Sequence, residues 1–392
     1  MSLIKTNDLS LPTPNYQYIQ TEEKARSALS EISNYKIIEV DTETCGLNPF
    51  LDKISLLQIG IPNKVFVFDV RKDTEHSSIG LDIFKPVLTD RRVLKLLQHA
   101  AFDMEFIKVH GGYYIENVYD TMLVEQLFNL GISTRGADLE SIVFKYLGLK
   151  IDKEPRTTFL NYNQKFEPYQ LDYAARDVTI LRLIKDMQAS TIQQEGFDNV
   201  CRLEFEFLKP MCEMELNGIC FDVERYRRVL AEIEIKKQEH HGNVAKLLTD
   251  MEDYNPMFGV SLINIDSNMQ IKKALTKYGF DLESTDVSQL KKHEGHPVID
   301  ALLSYRKAQK FISTYGESLI AQINEVTGRL HTRFKQMVST GRMSSSNPNL
   351  QNIPKEQLYR SCFIAKPGYK IITSDMAGAE LRILGNLSTD PI

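Results

Sequence analysis

Four acidic residues in three short segments constrain the fold of this 392-residue chain more than any other feature. Asp41 and Glu43, separated by one residue, stand where the apolar run 35–40, a predicted β-strand, comes to its end. Asp103 and Asp177 follow much later in the chain. A fold that gathers these acids presents carboxylate oxygens alone, which suit Mg²⁺ or Mn²⁺ rather than zinc. The pattern therefore predicts a site for two divalent ions, about 3.5–4 Å apart, of the kind that promotes phosphoryl transfer.

Taken singly, each of these residues has an ordinary structural interpretation. A lone Asp-x-Glu at a strand end is usually a solvated turn, and Asp103 is also explained as a favourable charge in the first turn of a helix. Tyr173 and Asp177, four residues apart, fit a surface pair on a helix. Taken together, the order and spacing of Asp41, Glu43, Asp103, Tyr173 and Asp177 resemble the DEDDy family of 3′-5′ exonucleases.

This resemblance implies a role for each of the five residues. It implies that Asp41 bridges both metal ions and that Glu43 and Asp177 complete the site nearer the attacking water. It also implies that Asp103 holds the second ion through water. Tyr173 is implied to hydrogen-bond and aim the attacking water, a task that suits a neutral phenol.

Two further positions are implied to touch the substrate. Leu47 stands where members of the family place an apolar side chain beside the terminal base. His99 belongs to Gln98-His99, at a place where the second motif of the family often reads His-Asn. We interpret His99 as a substrate contact, and a packed core histidine is the alternative.

Composition and charge describe a soluble globular protein. The chain is 42% hydrophobic and 25% charged, and no run approaches the roughly 18 apolar residues of a membrane helix. Its start lacks the pattern of a signal peptide, and its five scattered cysteines fit a reducing cytoplasm. The net charge of −5 argues weakly against a nucleic-acid partner. Segment 325–370, however, carries eight basic and two acidic residues, which is compatible with a groove that follows phosphates.

The order of the predicted elements separates three regions. The strand pattern occurs in four early segments, at residues 35–41, 53–61, 64–70 and 93–98. With helices around and after them, these strands favour an α/β fold with a mixed sheet flanked by helices over residues 1–195. Residues 196–327 have helical periodicity except for an irregular stretch at 251–262. Residues 328–392 contain short strands, one of them predicted at 369–374, and form a partial α+β region.

The second and third regions resemble bacterial-type family A DNA polymerases, which implies the cytoplasm of a bacterium or of a phage-infected cell. The most specific stretch is 340–354, which reads TGRMSSSNPNLQNIP, and segments 213–219, 296–299 and 305–307 are similar as well. The resemblance implies that polar and basic side chains of this loop contact the DNA backbone and minor groove. The residues implied are Arg342, Ser344, Asn347, Asn349, Gln351 and Asn352.

A last segment, 374–382, resembles polymerase motif A. It implies that Asp375 is a ligand of a polymerase metal ion and that Glu380 excludes a ribose 2′-hydroxyl. The segment departs from the common pattern at Met376, Gly378 and Ala379. The resemblance as a whole implies three domains: a ribonuclease H-like exonuclease at 1–195, a helical connecting and thumb region at 196–327, and the incomplete N-terminal part of a polymerase palm at 328–392.

These motifs predict a metal-dependent 3′-5′ exonuclease that proofreads for a family A DNA polymerase. The implied cofactors are two Mg²⁺ or Mn²⁺ ions, and the implied partner is DNA with a single-stranded 3′ end or a primer–template. No sequence like the fingers helix or the second palm carboxylate of the family occurs between Arg382 and Ile392. We therefore expect no DNA synthesis by this chain alone. Either a second polypeptide supplies these parts, or the reading frame is a shortened one. A ribonuclease D-like RNA exonuclease and a nuclease-silent DNA-binding subunit are the alternatives.

Overall fold

The structure is a computed structural model that describes residues 14–72, 74–131, 136–151, 154–251 and 263–389. The irregular stretch predicted at 251–262 thus lies almost wholly outside the described residues. The chain forms two compact units. The first unit comprises Met1–Gly218 and His331–Gln351, and the second comprises Ile219–Leu330 and Asn352–Ile392. The domain limits predicted at 195 and 327 follow family resemblance rather than these contacts, and they stay predictions.

The strands of the described residues fall into three sheets. In chain order they are β1 (Tyr16–Ile19), β2 (Ile37–Thr44), β3 (Ile54–Ile61), β4 (Lys64–Asp69), β5 (Leu94–Leu97), β6 (Val118–Asp120), β7 (Ile219–Phe221), β8 (Arg329–Leu330), β9 (Arg333–Lys335), β10 (Ser344–Ser346) and β11 (Phe363–Ile364). The largest sheet has the order β1-β4-β3-β2-β5-β6. In it β3 is antiparallel to β2 and β4, and the other neighbours are parallel. The predicted mixed sheet is thereby confirmed, and β2 to β5 lie at the four predicted positions.

The α-helices of the described residues follow the same chain order. They are α1 (Glu22–Ile32), α2 (Lys85–Leu88), α3 (Ala100–Gly111), α4 (Thr121–Phe128), α5 (Leu139–Leu147), α6 (Pro168–Thr179), α7 (Leu181–Glu195), α8 (Asp198–Asn217), α9 (Val223–Met251), α10 (Asn268–Lys277), α11 (Val287–Leu290), α12 (Pro297–Tyr315), α13 (Glu317–Ile320), α14 (Gln357–Arg360) and α15 (Ala379–Ser388).

The core of the first unit lies around the six-stranded sheet. Every residue of β3 is buried, as expected for a central strand covered on both faces. Helix α6 packs across β2, β3 and β4, while α7 contacts β5 and α8 contacts β6. Pro62-Asn63 in the sequence predicts a tight turn between β3 and β4, and this turn is present. Asn63 adopts a positive φ of 66° there, a conformation that asparagine tolerates better than most residues. This arrangement confirms the predicted sheet with flanking helices.

The second unit is built mainly on helices. The long helix α9 packs against α12, and their buried side chains form two apolar clusters. A small antiparallel sheet of β11, β7 and β8 accompanies them, and β7 is a strand that the helical prediction for this region missed. The strand predicted at 369–374 is wrong. Among the described residues this segment has no neighbouring strand to supply ladder hydrogen bonds, and residues 369–374 belong to no strand of the three sheets.

In the described part of the chain, no helix combines the length and the apolar character that crossing a bilayer requires.

Candidate active site

Strand β2 and helix α6 bring three predicted acids together. Asp41 and Glu43 are two residues apart on β2, so their side chains leave the same face of the sheet. Helix α6 packs over that face and carries Asp177. Each of the three residues places a carboxylate oxygen within 4.8 Å of the others. This spacing fits the predicted metal ligands.

Helix α6 also carries Tyr173, one turn before Asp177, as the sequence predicts. Its start is well defined, because Glu167 and Gln170 form a reciprocal capping box and Pro168 occupies the first turn. The side-chain amide of Gln170 also donates to the carbonyl of Thr158, at 3.2 Å. These contacts fix where the helix begins and hence where its functional side chains point.

Asp103 is placed by a different set of contacts. It lies in the first turn of α3, is 2% exposed, and accepts a hydrogen bond from the Thr42 hydroxyl at 2.6 Å. The start of α3 is anchored by Asp120, whose carboxylate accepts from the backbone N–H groups of His99 and Ala100 at 3.1 and 2.8 Å. His99 adopts the left-handed conformation at this point, with φ of 62°. Asp120 is a supporting residue that the sequence motifs did not reveal.

One cavity of about 210 Å³ collects these side chains. Its wall includes Asp41, Glu43, Asp103, Tyr173 and Asp177 together with His99. It also includes Arg156, which the sequence prediction missed because a lone basic residue between two motifs carries no distinguishing pattern. Arg156 lies on a short 3₁₀ helix, Glu154–Phe159. The cavity therefore combines clustered carboxylates with one guanidinium on its wall.

Burial and mutual repulsion raise the pKa values of the acids. Burial is the main cause for Asp41, and the charges of Asp103, Glu43 and Asp177 add to it. Burial and the Asp177 charge raise the pKa of Glu43, whereas the Arg156 guanidinium opposes this rise. Burial raises the pKa of Asp103 to about 7. A divalent cation would relieve this repulsion, so the electrostatics and the spacing of the donor atoms both fit a metal site.

Tyr173 is suited to act as a neutral hydrogen-bonding group. Burial raises the pKa of its phenol, and the neighbouring charges of Asp177, Glu43 and Asp41 raise it further. The proton therefore stays on the phenol across the physiological range.

Arg71 supports the segment that leads to the cavity wall. This fully buried residue pairs with Asp69 at the end of β4, at 2.6 Å. Its Nη1 donates to the carbonyl oxygens of Tyr162 and Gln164, at 2.7 and 2.5 Å. Its guanidinium also lies 4.2 Å from the centre of the Phe166 ring. Residues 157–167 connect Arg156, on the cavity wall, to the start of helix α6. Through its contacts with this segment, Arg71 tethers Arg156 and helix α6 to the sheet.

The predicted substrate contacts have less uniform surroundings. Leu47 is 67% exposed on the loop after β2, and Arg342 and Asn347 are exposed as well. Within segment 344–351, which comprises β10 and the loop after it, side chains of the predicted DNA-binding residues hydrogen-bond to other residues of the same segment. The Gln351 amide oxygen accepts from the Ser345 backbone N–H at 3.0 Å, and Asn349 accepts from the Ser345 hydroxyl at 3.3 Å. These bonds shape the loop, and the DNA contacts stay predictions.

The two polymerase-motif residues lie on the surface of the second unit. Asp375 and Glu380 are both exposed, and Glu380 falls in the first turn of α15. Among the described residues, no group of three or more potential metal ligands includes Asp375. Their predicted roles remain predictions.

Two family models match the chain in succession. Residues 16–191 match the model described as 3′-5′ exonuclease, and residues 232–392 match the model described as DNA polymerase family A. The chain therefore carries a 3′-5′ exonuclease region followed by a region of DNA polymerase family A. Its segment His331–Gln351, which packs in the first unit, lies within the range matched by the polymerase model.

Curated relatives and a solved structure agree with these two matches. DNA polymerase I of Synechocystis sp. is 31% identical over 379 residues, which is 90% of this chain and 37% of the relative. DNA polymerase I of Borreliella burgdorferi is 26% identical over 416 residues, which is 100% of this chain and 44% of the relative. The POL domain of Pol1 from M. smegmatis has a TM-score of 0.74 at 20% identity and is covered to 63%, against 96% of this chain. The chain thus spans less than half the length of both curated relatives, and the likeness to the solved structure concerns the fold.

Proposed function

We propose that this chain removes nucleotides from the 3′ end of DNA by metal-dependent hydrolysis, as the proofreading part of a family A DNA polymerase. The observation that carries the proposal is the cluster of Asp41, Glu43 and Asp177, whose ligand atoms lie within 4.8 Å of one another. Tyr173 and Asp103 line the same cavity. The sequence motifs and the geometry therefore point to the same five side chains.

The acids would hold two Mg²⁺ or Mn²⁺ ions. Asp41, Glu43 and Asp177 supply the clustered ligands, and Asp103 contributes from the neighbouring helix. Bound there, the ions lower the pKa of an attacking water and stabilise the negative charge that develops on the phosphate.

The remaining side chains of the cavity orient the reactants. The neutral Tyr173 phenol both donates and accepts a hydrogen bond, so it is able to aim the attacking water at phosphorus. The Arg156 guanidinium offers the scissile phosphate a charged donor on the cavity wall. Leu47 and His99 are proposed to contact the terminal nucleotide, Leu47 through its apolar surface and His99 from the edge of the cavity.

The match of residues 232–392 to the family A model favours DNA over RNA as the substrate. The M. smegmatis relative in the structural comparison is described in a complex with DNA primer-template and dNTP. A ribonuclease D-like enzyme has no need for a segment that matches a DNA polymerase model over residues 232–392.

The proposal is tested with a 5′-labelled primer–template that ends in a 3′ mismatch. The purified chain is incubated with Mg²⁺, with Mn²⁺ or with EDTA, and a matched RNA primer is run in parallel. We expect a ladder of shortened DNA with either metal ion, none with EDTA, and slower shortening of RNA. Faster shortening of RNA would favour the ribonuclease D-like alternative, and DNA binding without cleavage would favour the nuclease-silent one.

Asp41→Asn assigns the cleavage to this site. The variant keeps the size of the side chain but removes the charge that a divalent ion requires, so cleavage should fall by at least about 10³-fold. Glu224→Gln is the matched control, because Glu224 is an exposed acid of α9 paired with Arg227 at 3.3 Å. Cleavage that survives in Asp41→Asn would refute the assignment.

A further inference from the structure

Arg333 makes a set of contacts that the family resemblance did not indicate. It begins β9, inside the range matched by the polymerase model, and its guanidinium lies between two acids of the nuclease unit. Nη1 donates to Glu215 Oε2 of α8 at 2.9 Å and also to Glu105 of α3. Nη2 donates to the carbonyl oxygen of Leu47 at 3.2 Å. We call Arg333, Glu105, Glu215 and the Leu47 carbonyl the Arg333 bridge.

The partners of Arg333 are more deeply buried than Arg333 itself. The side chains of Glu105 and Glu215 are 2% and 6% exposed, against 41% for Arg333. A guanidinium presents five N–H donors in a fixed planar fork, so one residue is able to serve two carboxylates and a carbonyl together. A lysine ammonium lacks this fixed geometry.

Contacts of neighbouring residues reinforce the bridge. Nδ1 of His331 donates to the backbone carbonyl of Glu215 at 2.7 Å, and its ring lies 4.7 Å from the ring of Phe50, centre to centre. The backbone N–H of Phe334 donates to Glu215 Oε1. The strand at 333–335 is therefore fastened both to α8 and to the loop that contains Leu47 and Phe50.

We propose that Arg333 is a positioning residue for the nuclease site. The Arg333 bridge holds the loop at 45–52, which we call the Leu47 loop, at a fixed distance from helix α3. This inference rests on the proposed exonuclease function. The Leu47 loop follows directly after Asp41 and Glu43 on β2, and Glu105 is two residues beyond Asp103 on α3. A segment of the polymerase-matching region thereby sets the geometry of the nuclease substrate cleft.

The expected kinetic signature is a change in KM rather than kcat. Arg333 lies outside the cavity that contains the acids, so the reacting groups stay in place when its fork is lost. The Leu47 loop, in contrast, loses a tether and no longer presents the Leu47 side chain in one position. Binding of the 3′ end should weaken, because the free energy required to order the loop is then subtracted from the binding free energy.

The first test is Arg333→Lys, which keeps the positive charge between the two acids but removes the fork. We expect KM for a single-stranded 3′ end to rise about fivefold to tenfold, the effect of losing roughly one positioning hydrogen bond, with kcat within about twofold. Arg92→Lys is the matched control, since Arg92 pairs with Asp90 at 2.8 Å on the surface and is 81% exposed. An unchanged KM in Arg333→Lys would overturn the proposal.

A double-mutant cycle separates positioning from general destabilisation. If Arg333 acts through Leu47, then Arg333→Lys should add little to the KM of Leu47→Ala, whereas independent effects would multiply. Multiplying effects would overturn the inferred route.

Arg333→Met combined with Glu105→Gln and Glu215→Gln is the second variant, because it removes the fork without leaving a buried unpaired charge. It should reproduce the KM of Arg333→Lys.

Hydrogen exchange provides a measurement that does not depend on catalysis. In Arg333→Lys, amides of the loop 45–52 should exchange faster than in the unaltered chain, while amides of β3 should not change. Faster exchange in a chain that never cleaves DNA would retain the bridge and refute the proposed function. Cleavage with unchanged exchange and unchanged KM would retain the proposed function and refute the bridge.

Discussion

The candidate metal ligands that the motifs predict differ in burial and in clustering between the two units. Asp41, Glu43 and Asp177 meet in one cavity under helix α6, and burial with mutual repulsion raises the pKa values of Asp41 and Glu43. Asp375, in the motif-like segment of the second unit, is exposed and belongs to no such cluster among the described residues. A motif therefore identifies candidate ligands, whereas a metal site also requires packing that brings several carboxylates together.

The largest expected effect tests the clustered side of this comparison. Asp177→Asn should reduce exonuclease kcat by on the order of 10⁴-fold, about 5 kcal/mol in activation free energy, because a neutral amide replaces a charged ligand. Single-turnover cleavage of a labelled 3′ end measures it. Circular dichroism and thermal melting of the variant supply the control, since they should show an intact fold. A loss below tenfold would mean that the cluster is not the catalytic centre.

The next effect concerns the support of the cluster rather than its ligands. Arg71→Met should lower the free energy of unfolding by about 3–5 kcal/mol, because it leaves the fully buried Asp69 without its ion-pair partner. Urea unfolding measures the change. Asp69→Asn combined with Arg71→Met removes the stranded charge and should recover part of the loss. Equal stability of the single and double variants would show that charge burial is not the cause.

Local sequence pattern predicted the elements whose signals are short-range. The strands β2 to β4, the Asn63 turn and the Tyr173–Asp177 spacing all depend on residues within a few positions of one another. The strands β1 and β6 were missed because they are only four and three residues long. Strands this short carry little periodicity, and their parallel partners are remote in the sequence.

The contacts of the site's supporting residues were not predicted either, because their partners are also remote in the sequence. Arg333 was counted as one of the basic residues of a phosphate-following segment, yet it pairs with Glu105, 228 residues away, and with Glu215, 118 residues away. Asp120 likewise holds the start of α3 from 20 residues downstream. Such pairings depend on tertiary packing, which no local pattern specifies.

A smaller effect is expected from the group that aims the water. Tyr173→Phe removes one hydroxyl and keeps the ring, so kcat should fall by about 10- to 100-fold, at or below the lower end of the range for acid–base groups. Burial raises the pKa of this phenol, so its deprotonation should not limit the unaltered enzyme between pH 7 and about 9. A pH–rate profile measures both points. A fall in rate above pH 8 that disappears in Tyr173→Phe would contradict the neutral role.

The smallest expected effect compares the two regions directly through thermal stability without metal. The pKa values of Asp41, Glu43 and Asp103 are raised on folding, so the folded chain binds more protons than the unfolded chain from about pH 4 upward, to about pH 7 for Asp103. The metal-free protein should therefore lose stability as pH rises through this window. At pH 8, Asp41→Asn should raise Tm by a few degrees, whereas Asp375→Asn should leave it unchanged.

Mg²⁺ should raise the Tm of the unaltered chain and of Asp375→Asn, because a ligand that binds only the folded state stabilises that state. It should raise the Tm of Asp41→Asn less, because this variant lacks one of the charged metal ligands. Equal responses of both variants would erase the difference between the two regions.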